Sequence, residues 1–325
     1  MRRDRGAAFR QASRLERARS AWPDGPRHPG LEPCAEFGYH LLHVSRRSPQ
    51  RFFMHTAVRR ISLVATLTLL AASAAAQPAP KGKLVVVGGG TIPPVILDAA
   101  VRLAGGPSAI VAILPQASEL ADTGARTATM WKQAGVSRAI VVDVKNGQAA
   151  ERAIGEATLI WIPGGDQSRL MAAVKGTRLP TLVGRRYAEG AIVGGTSAGA
   201  AVMSKVMVTG DADLQSITAG RTETIEGLGL WPEVVVDQHF LKRQRAARLI
   251  SLILDKPDLV GVGIDESTAV VVTGRRFEVI GLSSVVVVDA RAAQVEARPV
   301  KSLAAGRNLR LHVLTSGMTF DLDER

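Results

Sequence analysis

A serine stands between two glycines at 195–199, in the pattern G-x-S-x-G. An apolar, strand-like run at 191–193 precedes the pattern, and helix-forming residues at 200–203 follow it. This context predicts a nucleophile elbow, in which the glycines leave room for a strained turn that lifts the hydroxyl of Ser197 above a sheet. The backbone N–H of Ala198 and the start of the following helix can then stabilise an oxyanion. A glycine-rich turn whose serine only caps the helix is the alternative.

A serine nucleophile needs a base, and residues 81–325 contain two histidines, His239 and His312. His239 follows the apolar run 234–236, which turns abruptly polar at its C-terminal end. In doubly wound sheets ligands bind at that end of the strands, so the pattern favours His239 as the base. His312 lies in 311–314 and is more typical of a strand histidine that faces solvent or a neighbour. For His239 the alternative is a polar turn after a strand.

Two further loops follow predicted strands. Gln167 comes after the strand 159–162 and is expected at the same edge, where its amide can bind a substrate amide or carboxylate. The glycines 88–90 lack both a G-K-[ST] and a complete G-x-G-x-x-G, which argues against a nucleotide. They are expected to let the backbone approach the substrate, or to supply a second oxyanion N–H from Gly89.

Three arginines, Arg243, Arg245 and Arg248, follow the candidate base closely. On a helix Arg245 and Arg248 share one face. A guanidinium cluster beside a catalytic histidine suits an acidic substrate, because guanidinium groups bind carboxylates with two parallel hydrogen bonds. A solvated helix face is the alternative.

The chain resembles the cyanophycinases over about residues 83 to 290, in matching order and spacing. Cyanophycinases are serine peptidases related to dipeptidase E, with a fold like that of class I glutamine amidotransferases. They release β-Asp-Arg dipeptides from cyanophycin, a polyaspartate that bears arginine on each side-chain carboxyl. The segments that carry the resemblance are 194–203, 164–167, 227–230, 237–240 with the three arginines, and 263–266.

The resemblance implies that Ser197 is the nucleophile and His239 the base. It implies no metal and no organic cofactor, and because family members often form dimers it allows a homodimer. A secreted dipeptidase or isoaspartyl peptidase acting on short Asp-containing peptides is the nearest rival, and an inactive scaffold that binds acidic peptides is a third reading. The resemblance also places six residues along the substrate site: Gln167, Asp237, Gln238, Arg243, Arg245 and Arg248.

One position departs from the expected pattern. A family glutamate between the serine and the histidine is expected to orient the imidazole, and the aligned residue here is Gln215. A glutamine can accept a hydrogen bond from the ring N–H, but it cannot stabilise an imidazolium by charge. Asp211 and Asp213 lie nearby, and we expect Asp213 to take this role. Without a carboxylate against His239, the protein would be a slow enzyme or a binding relic.

The elements that position these residues alternate between short β-branched runs and helix-like stretches. This pattern predicts an α/β fold, a three-layer, doubly wound, mostly parallel sheet with helices on both faces. After the helical run 245–254 the sequence pattern changes to short apolar runs separated by glycine or polar residues. This pattern predicts an antiparallel C-terminal extension. The predicted parallel strands are 84–87, 109–114, 139–144, 159–162 and 191–193, with crossover helices such as 96–103 and 126–133.

Composition bounds the class of protein. A chain of 325 residues with 46% hydrophobic and 22% charged residues can bury a sizeable core. The formal charge is +12, but residues 1–53 carry eleven Arg against five Asp and Glu, and 54–80 add two Arg without an acid. That leaves +4 for 81–325 and no basic stripe interleaved with aromatics, so the sequence argues against nucleic-acid binding.

Residues 54–76 have the three regions of a signal peptide: a basic start, the apolar run 61–72, and an Ala-x-Ala ending. The apolar run is short for a bilayer span, so no stable membrane anchor is expected. We interpret 1–53 as a spurious extension or a disordered tail and 81–325 as a single catalytic domain that is secreted or periplasmic. Because Cys34 lies before the leader, the mature chain would have no thiol for a disulfide or a cysteine nucleophile.

Overall fold

A computed structural model describes residues 79–210 and 215–324. The predicted N-terminal extension, 1–53, and the predicted signal peptide, 54–76, lie outside the described residues, as do Asp211 and Asp213. The predicted domain that starts at residue 81 is therefore described almost throughout.

Five adjacent parallel strands form one side of an eight-stranded sheet, out to its edge. The first strand is fully buried, as are its neighbours in the middle of the sheet, because helices cover both faces. This architecture confirms the predicted α/β fold. In spatial order the strands are β1 (Leu84–Val87), β5 (Ile192–Thr196), β4 (Leu159–Ile162), β2 (Ile110–Ile113) and β3 (Arg138–Val141).

The two faces of this sheet bury separate apolar clusters. Along β1, Val85 and Val87 lie in the first cluster, whereas Leu84 and Val86 lie in the second. Alternate side chains of a strand point to opposite faces, so one strand serves both clusters. None of the helices in the described part of the chain has the length and apolarity needed to cross a bilayer. The helices of the first cluster are α1 (Pro94–Leu103) and α2 (Thr123–Gln133), and those of the second are α3 (Gly147–Glu156), α4 (Gln167–Val174), α5 (Leu179–Glu189) and α6 (Ala198–Ala201).

Antiparallel strands extend the main sheet beyond β1. Each pairs antiparallel with the strand before it, and the first of them pairs with β1. The predicted antiparallel C-terminal extension is thereby confirmed. These strands are β10 (Thr268–Thr273), β11 (Arg276–Gly281) and β16 (Thr319–Asp321).

A second sheet of four strands holds the candidate histidine, in a place that the sequence did not predict. Its strands are β8 (Val234–Gln238), β9 (Val260–Ile264), β12 (Ser284–Asp289) and β15 (Arg310–Thr315). Val234 and Val236 pack into the main core, whereas Val235 packs with helix α7 (Ala246–Asp255) on the far face. Because both faces are covered, the apolar run of β8 looks like a strand of the main sheet in sequence. Two small hairpins complete the fold: β6 (Val206–Val208) with β7 (Thr224–Glu226), and β13 (Gln294–Glu296) with β14 (Ala305–Arg307).

The two sheets meet at the end of β1. The amide of His239, just after β8, donates to the carbonyl of Gly88, just after β1, over 2.6 Å. The amide of Ser197, just after β5, donates to the carbonyl of Val87 over 3.1 Å. Backbone hydrogen bonds therefore bring the serine and the histidine to one edge.

Candidate active site

Ser197 occupies a strained turn between β5 and α6. Its backbone angles are φ 56° and ψ −115°, a region that residues other than glycine rarely adopt. The flanking glycines are required by close packing: a β-carbon on Gly195 would lie 2.4 Å from the carbonyl oxygen of Gly199, and one on Gly199 would lie 1.9 Å from that of Ile162. The structure therefore has the strand–turn–helix geometry that the G-x-S-x-G pattern predicts.

The imidazole of His239 faces the serine. Its Nε2 atom lies 2.9 Å from Oγ of Ser197, within hydrogen-bonding distance. The other histidine of the domain, His312, lies on β15, where its ring packs edge-on against Phe320. The geometry therefore pairs Ser197 with His239, the residue that the sequence favours as base.

The other ring nitrogen of His239 contacts a carboxylate that the sequence reasoning missed. Nδ1 lies 2.6 Å from Oε1 of Glu266, which comes 27 residues later in the chain. Nδ1 carries at most one proton, so this contact fills the place that was expected for Asp213 or Gln215. The sequence left the ring without a certain carboxylate partner, because Gln215 stands at the aligned position. The structure corrects this expectation, since Glu266 is that partner.

Glu266 is positioned by the loop between β9 and β10. The amide of the next residue, Ser267, donates to the carbonyl of Gly89 over 2.9 Å. The preceding Asp265 accepts the amide of Lys242 at one oxygen over 2.9 Å and the hydroxyl of Ser283 at the other over 2.8 Å. The loop is thus tied to the β1 end and to the turn after the histidine, which fixes the carboxylate beside the ring.

A sequence signal for Glu266 did exist. It ends the segment 263–266, which is one of those that carry the resemblance to cyanophycinases, and it lies two residues after the end of a buried strand. Strand β9 pairs in parallel with β8, with Gln238 opposite Ile264, so the residues after both strands meet at one edge. The orienting carboxylate is expected between the serine and the histidine in sequence, whereas Glu266 comes after both.

Burial lowers the pKa of His239 below 6.5, and the positive charges of Arg243 and Arg245 lower it further, against the opposing effect of Glu266. The histidine side chain is 8% exposed. The free base form, which can take a proton from serine, is therefore populated at a lower pH than in an ordinary histidine.

The loop after β1 packs directly beneath the catalytic ring. Gly89 has φ +117°, and a β-carbon there would lie 2.3 Å from Cε1 of His239. In the described part of the chain the amide N–H of Gly89 donates no hydrogen bond. Ala198 is the first residue of α6, so its amide has no acceptor within that helix. One predicted oxyanion donor, Ala198, therefore lies at the serine turn, and the other, Gly89, lies beside the histidine ring.

A cavity of about 730 Å³ opens beside the serine. It holds four of the residues expected at the substrate site: Gln167, Gln238, Arg243 and Arg245. Nowhere in 79–210 and 215–324 do three or more His, Cys, Asp or Glu side chains gather in a way that could hold a metal ion. The remaining lining residues are Gly165, Asp166, Ser168, Thr209, Gly210 and Glu223.

Asp237 and Arg248 were also expected to line the substrate site, and here the structure differs. They are 1% and 2% exposed, and neither is among the described residues that line the cavity. The guanidinium of Arg248 donates two hydrogen bonds to the carboxylate of Asp237, one of them from Nε over 2.7 Å. Because each satisfies the charge of the other, the pair joins β8 to α7. Its role is therefore to hold the strand that leads to His239, not to contact the substrate.

Comparisons with known proteins identify the family of this chain. Residues 84–280 match the family model described as Peptidase family S51. The chain is 38% identical over 228 residues to a cyanophycinase of Geminocystis herdmanii, which covers 66% of this chain and 83% of that protein. It is 35% identical over 233 residues to a cyanophycinase of a Nostoc species, covering 68% and 78%.

A solved structure supports the fold alone. The crystal structure of a peptidase from an acI-B1 Actinobacterium superimposes with a TM-score of 0.55 at 22% identity, and the match covers 74% of this chain and 97% of that one. The sequence matches carry the assignment further, since they span the serine, the histidine and the glutamate. This chain belongs to peptidase family S51 and is a serine-type peptidase.

Proposed function

We propose that this peptidase hydrolyses cyanophycin and releases β-Asp-Arg dipeptides through an acyl-enzyme on Ser197. The observation that carries the proposal is the linear array of Ser197 Oγ, the His239 ring and Glu266 Oε1, with contacts of 2.9 and 2.6 Å. Such an array activates a serine hydroxyl toward a carbonyl carbon.

In the acylation step His239 is neutral and carries its proton on Nδ1, which donates to Glu266. As Ser197 Oγ attacks the backbone carbonyl carbon between two aspartates, its proton passes to Nε2 of His239. The carbonyl oxygen becomes an oxyanion, for which we assign the amides of Gly89 and Ala198 as donors. The imidazolium then protonates the leaving amine as the C–N bond breaks, which leaves an ester on Ser197.

Deacylation uses the same groups in reverse. His239 takes a proton from a water molecule, and the resulting hydroxide attacks the ester carbonyl. The C–O bond to serine breaks, and the imidazolium returns the proton to Oγ. Throughout both steps the carboxylate of Glu266 holds the ring in one tautomer and stabilises the imidazolium.

Two observations support an aspartate-containing polymer as the substrate. Arg243 and Arg245 line the cavity beside the serine, and guanidinium groups bind carboxylates well. The relatives that align over about two thirds of this chain are themselves cyanophycinases.

We also propose that the enzyme is exported and acts outside the cytoplasm. The support is the signal-peptide pattern at 54–76, with its apolar run at 61–72 and its Ala-x-Ala ending. Expression of the chain from Met54 in a bacterial host should yield a periplasmic or secreted protein whose first residue is Gln77. A product that stays in the cytoplasm with residues 54–76 attached would refute export.

The activity is tested by incubating residues 77–325 with insoluble cyanophycin and, separately, with Asp-X and isoaspartyl dipeptides. We expect β-Asp-Arg to appear by mass spectrometry from cyanophycin, and no product with Ser197→Ala. Cleavage of the dipeptides without attack on cyanophycin would instead establish a dipeptidase. Binding of cyanophycin without any cleavage would establish a scaffold.

A further inference from the structure

The cavity beside the serine contains a carboxylate that the triad does not use. Glu223 lines this cavity together with Ser197 and Gln167. Its side chain is exposed, and its carboxylate makes no hydrogen bond and no ion pair with any residue that the structure describes. It is therefore available to a ligand.

The backbone on both sides of Glu223 is held in place. Its carbonyl oxygen accepts hydrogen bonds from the amide and the hydroxyl of Thr209, over 3.0 and 3.3 Å, at the end of the β6–β7 hairpin where the connecting loop begins. The hydroxyl of the preceding Thr222 donates to the carbonyl of Arg248 over 3.0 Å. A side chain on such an anchored backbone needs little ordering to meet a ligand.

Gln167 adds a second acceptor to the same cavity. It is 5% exposed, and its Nε2 donates to the carbonyl of Val208 over 2.9 Å, which fixes the amide against the hairpin that carries Glu223. Its Oε1 accepts no hydrogen bond from the described residues. Two acceptors that line the cavity thus have no donor among the residues that the structure describes, so a ligand that satisfies them supplies N–H groups.

The cavity is also lined by an arginine, Arg243, that has no carboxylate partner among the described residues. Arg245 is buried, donates to the carbonyl of Gln238 over 2.6 Å and lies 3.6 Å from Asp237, a carboxylate that it shares with Arg248. Arg243 forms no ion pair within 79–210 and 215–324. A ligand that satisfies Arg243, Glu223 and Gln167 together carries both a carboxylate and a cation with N–H donors.

We propose that Glu223 is a specificity-determining residue, which accepts hydrogen bonds from the guanidinium group of an arginine carried by the substrate. The planar guanidinium offers paired donors that match a carboxylate, and a further N–H can reach Oε1 of Gln167. This assignment rests on the proposed function, since it explains why an arginine-bearing aspartate polymer is preferred over plain aspartyl peptides.

The test uses two synthetic oligomers, three β-Asp-Arg units and three β-Asp-citrulline units. Citrulline has the shape of arginine but ends in a neutral urea. Binding of each oligomer is measured by calorimetry on the Ser197→Ala protein, which does not turn the ligand over, so the result does not depend on hydrolysis. The matched comparison is Glu223→Gln against Glu226→Gln, both introduced into Ser197→Ala. Glu226 is an exposed residue of the same hairpin outside the cavity.

We expect Ser197→Ala to bind the arginine oligomer about tenfold more tightly than the citrulline oligomer, the size of one charge-assisted hydrogen bond. Glu223→Gln should abolish that preference and leave the affinity for the citrulline oligomer within about twofold, whereas Glu226→Gln should keep the preference. A preference for arginine that survives Glu223→Gln overturns the assignment, as does binding of neither oligomer by Ser197→Ala. Hydrolysis of the arginine oligomer by the active enzyme is scored separately and tests the proposed function.

Discussion

The Nδ1 atom of His239 lies 2.6 Å from Oε1 of Glu266, on the side of the ring opposite to Ser197. The two residues follow neighbouring parallel strands, β8 and β9, so the pairing of those strands sets the contact. The catalytic ring is therefore held between a carboxylate of the second sheet and a serine of the main sheet.

Replacing Glu266 with glutamine should reduce kcat by about 10³- to 10⁴-fold, because the amide keeps a hydrogen-bonding group but cannot stabilise the imidazolium by charge. KM for a soluble oligomer should change little, since the residue lies behind the ring. Steady-state kinetics on the purified variant measure both parameters.

Asp213→Asn is the matched comparison, because Asp213 is the carboxylate that the sequence reasoning selected. We expect its kcat to stay within about threefold of the parent enzyme. The reverse result, a loss of orders of magnitude with Asp213→Asn and little loss with Glu266→Gln, would overturn the assignment of Glu266.

The lowered pKa of His239 sets the acid limb of the pH profile. The base must be neutral, so kcat/KM should rise with pH through the pKa of His239 in the free enzyme, and the midpoint of that rise should lie below 6.5. Because the charge of Arg243 lowers this pKa, Arg243→Gln should raise it and move the acid limb to higher pH. Arg102→Gln, at an exposed position on α1, should leave the limb in place. An acid limb that does not move in Arg243→Gln would contradict the electrostatic account.

Gly89→Ala should reduce kcat/KM by about 10²-fold or more, because the added β-carbon would lie 2.3 Å from the His239 ring and displace it. Gly106→Ala is the control: it also has a positive φ, +70°, but an added β-carbon there meets nothing within 4 Å. Both variants carry backbone strain, so both should melt at a somewhat lower temperature, and Gly106→Ala alone should keep its activity. Full activity in Gly89→Ala would refute the close packing of this loop.

Arg248→Met should lower the free energy of unfolding by about 3 kcal/mol, because the buried carboxylate of Asp237 loses both hydrogen bonds from Arg248 and keeps only the 3.6 Å contact with Arg245. Urea denaturation measures the change. Arg243→Met, at an exposed position, should alter stability little. Equal stability of the two variants would mean that Arg248 is not the structural brace described above.

Much of the main sheet could be predicted from sequence. The strands β1 and β4 have the bounds predicted for them, 84–87 and 159–162, because a strand buried on both faces is a continuous apolar run. The position of β8 could not be predicted in the same way. It is equally apolar, and its pairing with β9, Val235 opposite Gly261, joins residues far apart in sequence, which periodicity does not encode.

The candidate site was predictable to a similar degree. Ser197 is marked by a local motif, and His239 by the scarcity of histidines in residues 81–325. Glu266 ends a segment of the family resemblance, but its contact with His239 depends on the pairing of β8 and β9, which no local pattern encodes. Helical spacing likewise groups Arg245 with Arg248 but does not show that Arg248 is sealed against Asp237.

The central claim is that Ser197 is a hydroxyl nucleophile activated by His239, and a serine-directed fluorophosphonate tests it most directly. Mass spectrometry of the treated enzyme should show a single adduct on the peptide that contains Ser197, formed in step with the loss of peptidase activity. The adduct should be absent from His239→Ala. Full labelling with retained activity, or labelling of another residue as activity disappears, would contradict the account.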